Sequence, residues 1–104
     1  MLQHGRWNDT QIIDSAFIHQ CITPNNLPNK EDNKPVQHYG YQWWLSNISN
    51  HPMYYMRGIL GQYVIVIPDM QMTIVRLGHK RSNNPDGKPN DYKFYAEQVI
   101  KMFE

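Results

Sequence analysis

The chain alternates between two polar stretches and the apolar segments that they separate. After a short start, Phe17, Ile18 and Cys21 fall at i, i+1 and i+4, which predicts a helix from an Asp14 N-cap to about Cys21. Pro24 ends it, because proline biases its predecessor away from helix. Residues 25–37 are polar, with prolines at 28 and 35 and asparagines at 25, 26, 29 and 33, so a surface loop is expected. Tyr39 to Leu45 is aromatic and predicts a strand. Asn47 to Pro52 is turn material, and Met53 to Ile59 is a second strand interrupted at Gly58. Gln62 to Ile67 is the clearest strand; Pro68-Asp69 closes it and Gln71 to Leu77 is its hairpin partner. The unbroken apolar run Val64 to Ile67 implies burial on both faces, with a helix layer on at least one.

A second polar loop is expected over 78–90. Asp91 then opens a final helix to Glu104, whose Tyr92, Tyr95, Ala96, Val99, Ile100 and Phe103 make one apolar stripe able to cover a sheet. The order helix, long loop, antiparallel strands, helix predicts an α+β fold: an antiparallel sheet flanked by helices. Near the start, Met1 to His4 followed by Gly5 reads as the last turn of a helix with glycine after its end, which suggests a truncated element. Trp7 to Thr10 reads as a turn and Gln11 to Ile13 as a short extended piece.

Composition narrows the function classes. With 104 residues the chain is one domain at most. A net charge of +1 with no basic face argues against nucleic acid. The longest apolar run is far too short for a membrane span. One cysteine, Cys21, excludes an intrachain disulfide and reads as a small buried hydrophobe. Histidines 4, 19, 38, 51 and 79 lack metal-ligand spacing and are taken as surface or hydrogen-bonded residues. Seven tyrosines, three tryptophans and three phenylalanines make the core aromatic, with Trp43 and Trp44 serving one face each.

The middle of the chain carries a resemblance. Tyr39-Gly40-Tyr41-Gln42-Trp43-Trp44 resembles the Tyr-Gly-Tyr-x-Trp-Trp strand of serine hydrolases of the β-lactamase and penicillin-binding family. Gly58-Ile59-Leu60-Gly61-Gln62 resembles their Gly-x-x-Gly-Gln strand. Val66 to Asp69 and Thr73 to Gly78 resemble the hairpin that follows, and Leu2 to Asn8 with Gln11 to Ile13 an upstream segment. The nearest subgroup is that of 6-aminohexanoate-dimer hydrolases and related esterases.

The resemblance implies that residues 1–104 are the C-terminal segment of such a domain. The family's Ser-x-x-Lys is absent: Ser15, Ser46, Ser49 and Ser82 are followed three places on by Ile18, Ser49, Pro52 and Pro85. No convincing Tyr-x-Asn is present either. Only the third motif, a strand edging the active site, is expected here. Aligning Met56-Arg57-Gly58 with it makes the Ile59 backbone N–H an oxyanion donor, with Gly58 giving the substrate close approach. A second register, Ile59-Leu60-Gly61, gives the role to Gln62. Gly61 and Gln62 are then substrate-binding candidates. Arg57 is a candidate for a substrate carboxylate in place of the usual Lys or His, or else points to solvent.

The implied substrate is a small amide or ester, and no cofactor is implied, because the family's chemistry uses side chains alone. A periplasmic or envelope location follows from the resemblance only. The chain alone is expected to be inert, associating with the missing N-terminal part. The alternative is a non-catalytic binding module, monomeric or a symmetric dimer.

Overall fold

The computed structural model of the chain describes residues 1–80, Asn83 and 90–104, so most of the expected 78–90 loop lies outside the described residues. The chain opens with a small hairpin, β1 (Arg6–Trp7) and β2 (Thr10–Gln11). Asn8 and Asp9 join them at φ 46° and 66°. Two successive left-handed residues match the right-handed strand twist, and Asn and Asp tolerate that conformation best after glycine. Met1 to His4 is a series of turns rather than the end of a helix. Gly5 does take the left-handed conformation expected of it, at φ 86°.

Helix α1 (Ser15–Cys21) follows, and the Asp14 carboxylate accepts from the Ala16 N–H at 2.7 Å. Ile18 and Cys21 are buried, but Phe17 of the expected apolar face is exposed. Residues 25–37 form the anticipated loop, held by Asx-type turns at Asn25, Asn29 and Asp32.

The main sheet is a four-stranded antiparallel meander: β3 (Trp44–Ile48), β4 (His51–Gly58), β5 (Gln62–Ile67) and β6 (Met72–Arg76). Two expected boundaries move. The strand placed over Tyr39 to Leu45 begins only at Trp44, because Gln42 at φ 66° breaks the extended chain before it. Tyr39 instead bridges back to Trp44. The turn placed over Asn47 to Pro52 shrinks to Ser49 and Asn50, at φ 52° and 64°, with Asn47, Ile48, His51 and Pro52 all in the ladder. A two-residue turn of this kind needs no glycine, so the hairpin carried a weak sequence signal.

Alternation along the strands sorts the sheet into two faces. Met53, Tyr55, Tyr63, Ile65 and Ile67 point to helix α2 (Tyr92–Phe103), which brings Tyr92, Ala96 and Ile100 to the same core. Tyr55 and Tyr92 stack with ring centroids 4.0 Å apart. Phe103, assigned to the helix stripe, is instead exposed. The opposite face carries Tyr54, Met56, Val64, Val66 and Val75. Tyr54 and Val66 are buried there, and Trp43 meets Tyr54 edge-on at 5.5 Å. Trp44 joins the α2 side, so the two tryptophans do serve opposite faces. The fold is α+β, as expected, with α2 covering one face of the main sheet.

Candidate functional site

Residues 57–62 form the tip of the β4–β5 hairpin. β4 ends at Gly58, opposite Gln62, and Ile59, Leu60 and Gly61 make the turn. The Gly61 N–H donates to the Gly58 carbonyl at 3.0 Å, and Gly61 itself lies at φ 86°. This is a turn followed by a left-handed residue, a geometry that selects glycine. Ile59, read as the end of a strand, is therefore the first turn residue, half exposed at 50%. Its N–H has no backbone acceptor among the described residues. The stretch is also not a lateral sheet edge: it caps two inner strands, while β3 and β6 form the sides.

The turn is tied to the exit of β6. Gln62 Nε2 donates to the Gly78 carbonyl at 2.6 Å, and Arg76 Nη1 donates to the Gly61 carbonyl. Gln62, a substrate-binding candidate, thus has an internal partner. Gly58 has one reason for being bare within the fold itself: a Cβ there would lie 2.6 Å from Gln62 Oε1.

Arg57 lies on the α2 side, between its two expected fates. Its guanidinium sits 4.0 Å above the Trp44 ring and donates to Asn90 Oδ1 at 3.2 Å. Cation–π stacking at a partly exposed site is worth about 1 kcal/mol, which favours holding the charge beside the hairpin. Arg76 repeats the arrangement over Tyr95 at 5.1 Å. Burial, with the Tyr92 hydroxyl beside it, holds Tyr55 far above the usual phenol range. Burial also pushes Tyr54 and Tyr63 up. A tyrosinate base needs the opposite shift.

On the other face, a cavity of about 370 Å³ opens beside the turn, lined by Met56, Gly58, Gln62, Val64, Val75 and Leu77 among others. Met56, Val75 and Leu77 are 43%, 62% and 86% exposed. An apolar shelf thus runs up to the turn that carries the Ile59 amide. Such a shelf can seat the apolar part of a small ligand.

Elsewhere, Cys21 is buried, as a small hydrophobe would be. No cluster of His, Cys, Asp or Glu among the described residues has the make-up of a metal site. No helix among them is long and apolar enough to cross a membrane. Sequence reasoning did not single out a close cluster of ionisable side chains among the described residues, His51 with Asp69 and Glu104. Its members are 18 and 53 residues apart, so no spacing rule finds them. The chain matches no protein-family model and no curated protein.

Proposed function

We propose that the chain is the C-terminal part of a serine hydrolase of the β-lactamase and penicillin-binding family, acting on a small amide or ester through an acyl-enzyme. The nucleophile and its base come from polypeptide outside these 104 residues, and the chain alone is inert. In the assembled enzyme the serine Oγ adds to the substrate carbonyl and its proton passes to the neighbouring base. The oxyanion accepts from the nucleophile's own N–H and from the Ile59 N–H. Collapse releases the amine or alcohol, and water then frees the acyl group. The Arg57 guanidinium, held on the α2 side by Trp44 and Asn90, takes no part in seating a substrate on the opposite face.

The observation that carries this reading is the apolar shelf of Met56, Val64, Val75 and Leu77 that reaches Gly58 and Gln62, the two residues flanking the hairpin turn, on the sheet face that α2 leaves open. The motif resemblance along the same strands supplies the chemistry.

Proline at position 59 makes the decisive test. Ile59 is the second residue of the turn closed by Gly58 and Gly61, a position that suits proline, so the fold tolerates it while the N–H is lost. In the complete enzyme, Ile59→Pro lowers kcat by about 10²–10³-fold, the usual cost of one oxyanion donor, whereas Ile59→Ala leaves it near wild type. Equal rates for Ile59→Pro and wild type overturn the assignment. Burst acylation of the 104-residue chain by a chromogenic ester or a cephalosporin overturns the claim that it is inert. A coding frame with no Ser-x-x-Lys upstream removes the hydrolase reading altogether.

The same exposed shelf favours a second reading, a non-catalytic module that pairs through it. Sedimentation separates the two: a symmetric dimer that Leu77→Glu dissociates supports the module.

A further inference from the structure

His51 opens β4, at the end of that strand remote from the Gly58 turn. Its Nδ1 lies 2.8 Å from Asp69 Oδ2, in the 3-10 turn Pro68–Met70. Its Nε2 lies 3.1 Å from Glu104 Oε1, just past the last residue of α2. An ionised carboxylate only accepts hydrogen bonds, and a neutral imidazole has a single N–H to give. Both contacts are hydrogen bonds at once only when the ring carries two protons.

We infer that His51 is a pH-operated latch that ties the last turn of α2 to the start of β4 and to the 3-10 turn while its ring is doubly protonated. Loss of a proton leaves one donor. Glu104 is the larger cause of the raised pKa, but its contact is the longer, 3.1 Å against 2.8 Å; by distance the remaining proton stays with Asp69 and Glu104 is released. Nothing apolar replaces the tie, since Met102 and Phe103 are 74% and 65% exposed and Ile100 is the last buried residue of the helix. A freed carboxylate at a helix C-terminus also opposes the helix dipole, which weakens the final turn further.

The charged groups facing the ring are Glu104 from α2 and Asp69 from the 3-10 turn. Its own hairpin contributes only the uncharged Ile48, Ser49, Asn50 and Pro52. The hydrogen bonds to Glu104 and then Asp69 raise the His51 pKa above 6.5, with burial opposing them weakly. A histidine raised in the folded state stabilises fully below its unfolded value and stops doing so as pH rises through its folded value. The latch therefore holds below 6.5 and opens as pH rises above it.

Imidazole nitrogen correlation spectra and amide exchange of residues 101–104, followed against pH, test this directly. The expected result is a doubly protonated His51 that titrates above 6.5, with protection of the last turn lost over the same pH span. In Glu104→Gln, at an exposed site where folding is not at stake, protection of that turn no longer follows pH. A His51 that titrates at or below 6.5 overturns the latch. So does last-turn protection indifferent to its titration, or an unchanged pH response in Glu104→Gln.

Discussion

At the scale of single residues, backbone conformation carries much of the site. Gly61 holds φ 86° where its carbonyl meets the Arg76 guanidinium, and a Cβ would strike that side chain. Gly61→Ala places an alanine in the left-handed region and displaces Arg76, at a cost of about 1–3 kcal/mol, which urea unfolding measures as a lower midpoint. The Gly58 to Gln62 stretch was read as a strand, and the turn within it was missed although Gly61, at φ 86°, is where the chain reverses. What the amide of Gln62 does was not legible. Its partner, the Gly78 carbonyl, is 16 residues away, and nothing in a one-dimensional pattern pairs the two. Arg57 is similar: alternation puts it on a face, but the stacking on Trp44 depends on how β3 aligns with β4.

At the scale of elements, periodicity succeeded where one face is fully buried and failed where it is not. β5 has the expected bounds, since Tyr63, Ile65 and Ile67 are almost wholly enclosed. The start of β3 was misplaced because aromatic residues favour a strand whether or not it is paired, and here Gln42 turns the chain first. In α2 the stripe held through Ile100 and failed at Phe103, where the sheet no longer lies beneath the helix. Ile100 is completely buried. Ile100→Ala removes most of a side chain that has no room to be replaced, at a cost of about 2–5 kcal/mol. Small domains have only about 5–15 kcal/mol in all, so a fall of that size in denaturant stability is readily detected. The exposed Phe103→Ala serves as the control and changes little.

At the scale of the molecule, surface and size agree. The chain exposes 7457 Å², against about 6,100 Å² for a compact monomer of its mass. Its radius of gyration is 14.8 Å, where a compact domain of this length has about 13 Å. The surplus surface, about 1,300 Å², exceeds the roughly 800 Å² that one partner buries in an ordinary stable interface. Exposed apolar side chains such as Met56, Val75 and Leu77 bind hydrophobic dyes. Dye fluorescence with the 104-residue chain is therefore expected to be high, and Leu77→Glu lowers it without changing the unfolding midpoint. An unchanged signal removes the shelf as the binding surface. Composition alone did not reveal the surplus, because a 40% apolar chain is compatible with a closed core as well as an open one.

The crossed ties at the tip of β4 and β5 have a mechanical meaning. Arg76 grips the turn from β6, and Gln62 grips the carbonyl of Gly78 just beyond β6. Turn and strand exit are thus shackled into one rigid block. A displacement at Gly78 is therefore felt at Gly61 and Gln62, and the two stretches of chain that meet there move together.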